Sequence, residues 1–499
     1  MSSLVQSVDW LPIAPPTIAA VAGLAVLVAD LFLAERNKAL LGWVSIAGLA
    51  AAALMLLPLL DADRATFCLT GDPQVCSYVA DRFTLVIQFL VVGGALLAAL
   101  LSVTALKDAG KELPEGEFWF LLLSSAAGAA LLPASRDLAT LVVALEVASL
   151  PAFALVGIRH GDKRSSEAAL KFFLSSVTAT AVSLLGISFV YASTGTLYLT
   201  QVAERIQHVD GPLRTLAQAG VVLTLVGFAF KTAAVPFHFW VPDTYVGAPL
   251  PVAAYLSVVG KAVGFSGLIL VTVVALPTYS DVWGPALAAL AALTMTVGNV
   301  GALRQQATRA YSAVRLLAWS SIGQAGYLLV PVAAAAYTKD VQKPIGSTVA
   351  YALMYAVVNL GAFAVAALVG RRRTLNRVSD YRGLYASNPL AALLLAFFLL
   401  CLAGLPPGII GLFAKVTVFS TAVDAGLGWL AVVMAANVVI ALVYYLQWTA
   451  LLFRASEGEP EKHRVPGPLT VAIGLTSVVG IALSGAPQLV LRFSATGLF

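Results

Sequence analysis

Along nearly its whole length the chain repeats one pattern: a long run of apolar residues, a short polar turn, and another apolar run. About 20 mostly apolar residues in a helix span the hydrocarbon core of a bilayer. Fourteen such runs can be counted, at about 11–34, 39–60, 82–106, 117–134, 138–158, 168–193, 214–239, 248–276, 283–302, 313–335, 346–370, 388–421, 426–453 and 466–493. No soluble domain fits between them, since the longest interruption, Asp61 to Asp81, is only about twenty residues. No cleavable leader pattern stands at the start, so the first run is expected to stay as a span. The pattern predicts an all-α polytopic membrane protein.

Two runs depart from the pattern. The seventh passes into the eighth through VPFHFWVPDTYVGAPLP, where Pro236, Pro242, Pro249 and Pro251 each remove a backbone donor. The twelfth holds AGLPPGIIG, with Pro406, Pro407, Gly408 and Gly411. A helix broken at membrane depth persists only where protein or water satisfies the freed carbonyls. Interrupted helices in corresponding places of two halves mark inverted-repeat transporters and their ion sites. The spacing predicts a three-helix segment over 1–110, five-helix repeats over 111–278 and 279–455, and a last helix over 456–499. Self-similarity in letters is weak, so the repeats rest on the positions of the breaks.

Composition agrees. The chain is 60% hydrophobic and 11% charged, against roughly 25% charged in a soluble domain. The formal charge of +5 sits mostly in short loops, where it reports topology and not nucleic-acid binding. With the N-terminus outside and strict alternation, the inner loops hold 18 of the 30 basic residues, Lys462 and Arg464 among them. The outer loops hold 8, and the last four lie within spans. The bias predicts both termini on the outer face. Cys68 and Cys76 flank the turn CLTGDPQVC on that face, where a disulfide and two free thiols are both open. Cys401 is alone in an apolar run, and no Cys/His set suits zinc or an iron–sulfur cluster.

The four basic residues within spans, with one acid, carry the candidate chemistry. An ionisable group at membrane depth is a functional candidate by default. Glu146 sits mid-span in LVVALEVASLP, Lys171 opens the sixth span, and Lys231 stands just before the first break. Lys261 lies inside the eighth span, and Lys415 follows the second break in GLFAKVTVFS. One acid and four bases at separate depths suit a proton relay. Lysine ordinarily titrates near 10.4; burial lowers such a value and a nearby carboxylate opposes the change. Blander readings stand beside this one. Lys171 is close enough to an inner loop to snorkel, and Glu146 and Lys231 could form a static ion pair. His238 could relay a proton or cap a broken helix. Asp243 and Asp81 read as helix caps.

The segments FKTAAVPFHFWVPDTYVGAPLPVAAYLSVVGKAVGF, LRQQATRAYSAVRLLAWSSIGQAGYLLV and DYRGLYASNPLAALLLAFFLLCLAGLPPGIIGLFAKV resemble the antiporter-like membrane subunits of respiratory complex I, NADH:quinone oxidoreductase. They resemble the subunit N branch most. The resemblance runs from about residue 80 to 450 and is most specific between 225 and 420. It implies fourteen helices in two inverted five-helix repeats. It also implies a proton relay through Glu146, Lys171, Lys231, His238, Lys261 and Lys415, with His238 between Lys231 and Lys261. The M branch carries a glutamate where Lys415 stands, and the L branch ends in a long lateral helix. Many relatives have histidine where this chain has Gln324, and glutamine cannot carry a proton at physiological pH. A histidine step there is replaced, on this reading, by a water-mediated route.

The resemblance further implies a translocase subunit of a bacterial inner membrane that binds no cofactor itself. NAD(H), FMN, iron–sulfur clusters and quinone would belong to the parent complex. Its partners would be neighbouring antiporter-like and small membrane subunits and the lipid bilayer. Two other readings compete: a subunit of a multi-subunit sodium/proton antiporter, and a stand-alone permease. The permease would need a polar substrate pocket, and the sequence offers only a line of charges.

Overall fold

A computed structural model describes residues 8–455, 465–495 and 497–499; Lys462 and Arg464 lie outside the described residues. The chain opens with α1 (Trp10–Phe32) and α2 (Ala39–Leu54), then β1 (Arg64–Leu69), β2 (Asp72–Ala80) and α3 (Arg82–Ala109). Next come α4 (Glu115–Leu131), α5 (Leu138–Val156), α6 (Lys163–Thr194), the short α7 (Leu199–Ile206), α8 (Pro212–Thr232) and α9 (Val241–Gly247). The eighth span is compound: α10 (Leu250–Tyr255), a π-helical turn, α11 (Lys261–Ile269) and a second π-helical turn. The second half holds α12 (Ser280–Leu303), α13 (Ser312–Ala334), α14 (Gln342–Gly370), α15 (Leu384–Ser387), α16 (Pro389–Ala403), α17 (Ile409–Asp424) and α18 (Gly428–Phe453). The chain closes with α19 (Gly467–Gly485) and α20 (Gln488–Leu491).

Among the described residues, thirteen helical segments are long and apolar enough to cross a membrane. The fourteenth expected span, 388–421, is instead two short halves, α16 and α17, meeting at the AGLPPG break. The two interruptions fall between α8 and α9 and between α16 and α17. A helix that is apolar all round is either buried in protein or facing lipid, and both cases occur. α13 is almost wholly buried, whereas much of α1, α2, α6 and α18 faces outward. The tightest pair is α12 with α13. Gly298 faces the backbone of Gly323, and Gly326 faces Met295, so closely that a Cβ at either glycine would overlap its neighbour.

The loops sort to two ends, as fourteen alternating crossings require. One end gathers Asp9 with Arg64 (3.2 Å) and Lys343 with Asp424 (2.6 Å). The other gathers Arg371 with Asp108 (2.5 and 3.0 Å) and Lys171 with Asp243 (3.0 Å).

The all-α membrane architecture carries one small β element in a loop. Residues 64–80 form an antiparallel hairpin in which Cys68 pairs with Cys76 through a disulfide. β-branched and aromatic residues in β2 favour extended chain, a weak signal in so short a segment. Asp81 caps α3 as expected, accepting from the Thr84 N–H at 2.9 Å. It also forms a buried ion pair with Arg136, whose guanidinium donates to the Pro133 and Ser135 carbonyls. The pair ties the start of α3 to the α4–α5 turn.

Candidate functional site

Each mid-span lysine is held by a backbone or hydroxyl oxygen, and the sequence shows why those oxygens are available. Ala233 ends α8 in the left-handed region (φ 62°) and Pro236 offers no N–H, so carbonyls of the last turn are left over. The Phe230 carbonyl accepts the Ala233 N–H (3.0 Å) and the Trp240 indole N–H (3.4 Å), while the Thr232 carbonyl is taken by Lys261 Nζ (3.3 Å). Lys261 can reach because α11 presses on the end of α8. A Cβ at Gly264 would stand 2.8 Å from the Thr232 nitrogen, so only glycine fits.

Lys231, in the last turn of α8, donates to Ser149 Oγ on α5 at 2.7 Å. Ser149 follows Glu146 by one helical turn. Glu146 Oε1 accepts from Thr180 Oγ1 of α6 at 2.7 Å. Glu146 and Lys231 therefore share one face but form no direct ion pair in this structure; Ser149 stands between α5 and the ammonium. The side chains of Lys231, Lys261 and Lys415 are 5, 4 and 3% exposed, so none of the three snorkels to a surface.

The second break has the same origin. Gly404 (φ 85°) ends α16, and the cis Pro406–Pro407 pair cannot continue it. Lys415, in α17, folds back to donate to the carbonyls of Leu402 and Ala403, both at 2.8 Å. Its Nζ lies 5.2 Å from the centroid of the Tyr327 ring, within cation–π range.

Hydroxyl and amide groups lie between the two lysine centres. Lys261, Ser266, Thr348 and Tyr355 line a cavity of about 20 Å³, room for one water. The Tyr355 hydroxyl donates to Ser321 Oγ at 2.8 Å. One turn along α13, Gln324 donates to the Tyr445 hydroxyl (3.2 Å) and to the Leu402 carbonyl that Lys415 also uses (3.3 Å). Gln324 accepts from Tyr351 at 2.5 Å. Tyr445 also hydrogen-bonds Ser320 at 2.5 Å. The glutamine is thus the hub of a buried network beside Lys415.

Two expected site residues lie apart from this line. Lys171 is half-exposed and pairs with Glu167 (2.7 Å) and Asp243 (3.0 Å). His238 packs against Trp319, ring centroids 5.6 Å apart, in a crevice shared with Asp243 and Arg315. Asp243 is not the cap expected of it. It lies inside the first turn of α9 and is an ion-pair partner of both Lys171 and Arg315 (3.4 Å).

Comparison with known proteins now bears on this geometry. The family described as "NADH:quinone oxidoreductase/Mrp antiporter, TM" matches residues 135–441, more than half of the chain. The chain belongs to this family. Within it, the chain is 73% identical to "NADH-quinone oxidoreductase subunit N 2" of Streptomyces griseus, over 100% of this chain and 95% of the relative. Its fold matches a chain of respiratory complex I from Thermus thermophilus with bound aureothin. The TM-score is 0.76 at 30% identity, covering 97% of this chain and 100% of that one. A chain of the Mrp complex from a Dietzia species shares the fold, with a TM-score of 0.83 at 22% identity over 97% and 96% of the two chains.

The matched segment takes in Glu146 and all four span lysines. The hydroxyls around them are a different matter: Ser149 on Lys231, Thr180 on Glu146, and Tyr351 and Tyr445 on Gln324 drew no notice in the sequence. Their signal was there, since a buried Tyr hydroxyl almost always needs a partner, but tyrosine in an apolar run reads as core.

Proposed function

We propose that Glu146, Lys231, Lys261 and Lys415 form the proton path of this chain, with Lys171 and His238 at its inner-end approaches. The chain is a proton-translocating membrane subunit of NADH:quinone oxidoreductase of the N type. The observation that carries the path is the placing of the three buried lysines: each is held by a neutral oxygen and none is locked in an ion pair. An ammonium held this way can give up its proton without stranding a charged partner. A fixed salt bridge would oppose that loss.

In this reading the repeats span 111–278 and 279–455, behind a three-helix segment over 1–110 and before a last helix over 456–499. Both termini face outward across a bacterial inner membrane. Flavin, iron–sulfur and quinone chemistry lies on partner subunits, and this chain docks against antiporter-like and small membrane subunits. Moving one charge against 100 mV takes about 2.3 kcal/mol, supplied by redox steps elsewhere in the complex. The sodium/proton antiporter reading has the shared family and fold in its favour, while the full-length relative at 73% identity bears a subunit N name.

The test is proton pumping and quinone reduction, measured together in membranes carrying Lys231→Ala or Glu146→Ala. Loss of both activities by about a hundredfold, with the complex assembled, is expected. Normal pumping in both variants would remove these residues from the path.

A further inference from the structure

Two openings reach inward from the end that holds the Arg371–Asp108 pair. One is the crevice of His238 and Asp243 already described. The other is a vestibule of about 380 Å³ bounded by α3, α9 and α10, α13 and α14. Thr104, Asp108, Glu112, Arg159, Tyr245 and Arg371 are among its walls. Its mouth is charged by both signs, with Asp108 held by Arg371 at 2.5 and 3.0 Å. In its walls, the Thr104 hydroxyl and the Arg159 Nε are buried without a hydrogen-bond partner, which marks the cavity as a place for water and not for lipid tails.

The inner wall of the vestibule is not a dead end. Tyr245 lines it, and the Tyr245 hydroxyl lies 3.5 Å from Ser321 Oγ. Ser321 accepts from the Tyr355 hydroxyl at 2.8 Å. Tyr355 in turn lines the water-sized cavity that holds Lys261. Three hydroxyls and one water position thus join a hydrated vestibule to a lysine buried at membrane depth. The crevice of His238 has no such continuation in its lining.

We infer that this vestibule is the proton inlet of the subunit, and that Tyr245, Ser321 and Tyr355 carry the proton from it to Lys261. The inference rests on the proposed lysine path and adds its inlet. A hydroxyl is both donor and acceptor. The Tyr355 hydroxyl, which points to Ser321 in this structure, first turns toward the water-sized cavity. Each oxygen then gains a proton from the vestibule side and releases its own toward a neutral Lys261 amine, which becomes the ammonium. The hydroxyls then rotate back unchanged, and the added positive charge rests on Lys261.

The experiment uses membranes bearing the whole complex. Tyr245→Phe, Ser321→Ala and Tyr355→Phe each remove one oxygen and keep most of the packing. Each is expected to slow pumping and quinone reduction together, by between about two- and tenfold, the worth of one hydrogen bond. Thr104→Cys gives a second readout that does not depend on those variants assembling. A cationic, membrane-impermeant thiol reagent added to the inner face should inhibit this variant well beyond its effect on the parent complex treated in parallel. The parent's Cys401 is buried and its other two cysteines are bonded to each other. Unaltered rates in the three oxygen-deletion variants, or reagent-insensitive Thr104→Cys, would overturn the inlet. Lys261→Ala in the same membranes separates the two ideas. If it stops pumping while the hydroxyl variants run normally, the inlet is wrong and the lysine path stands. If it too runs normally, the path itself fails.

Discussion

The two broken helices solve the same problem with different means. At the first, two lysines share the break: Lys231 rises from the helix that ends there, and Lys261 comes from another helix to take the Thr232 carbonyl. At the second, Lys415 alone takes two carbonyls, at shorter distance, from the half-helix that precedes it. The C-terminal end of a helix carries partial negative charge, so both sites favour a cation. The first is also biased by Glu146 one turn from Ser149, whereas among the described residues the second has only Gln324, tyrosines and serines around it. One site can be tuned by a charge, the other by rearranging neutral hydrogen bonds.

The sharpest way to test that contrast is Lys415→Arg. Arginine keeps the charge and can still donate to the Leu402 and Ala403 carbonyls, but it does not release a proton at accessible pH. If Lys415 is a proton carrier, pumping falls about a hundredfold, as far as in Lys415→Ala. If it only caps α16, Arg restores pumping where Ala does not.

A smaller effect is expected in stability. Gly404 has φ 85°, and a Cβ there would press on Lys415 Cδ at 3.0 Å. Gly404→Ala should therefore cost about 1–2 kcal/mol, read as earlier heat-induced loss of the subunit from the complex. Ala233 already bears a side chain at φ 62°. Ala233→Gly should move stability by less than about 1 kcal/mol, since relief of backbone strain is offset by a freer unfolded chain.

Least of all should follow from Asp243→Asn. Its partners Lys171 and Arg315 keep 47 and 22% of their side-chain surface exposed, and pairs of that kind contribute up to about 1 kcal/mol. Pumping should stay within about twofold of the parent. A large loss would move Asp243 and Lys171 from the periphery into the path.

What could be read from letters follows from what a helix does to sequence. Apolar run length predicts a crossing, proline and glycine predict a break, and a charge within a run stands out against its neighbours. Hence the spans, both breaks and the four lysines were legible. Partnership across helices was not. Asp243 lies in a first helical turn, where a carboxylate reads as a cap, yet it reaches Lys171, 72 residues away. Gln324 looked like the loss of a histidine. The fold makes it a junction of two tyrosines and a carbonyl, because α13 faces α14, α16 and α18 at that depth. His238 was expected between two lysines on the family resemblance alone. The turn through Pro236 instead sets its ring beside Trp319.

The glycine-lined seam of α12 and α13 has a mechanical meaning. With Gly298 against Gly323 and Gly326 against Met295, the two helices meet so closely that a side chain added at either glycine would prise this paired beam apart. Ser320, Ser321 and Gln324 ride on that beam. A methyl group added in the seam would therefore displace the hydroxyls and the amide that bond Tyr355, Tyr445 and Tyr351.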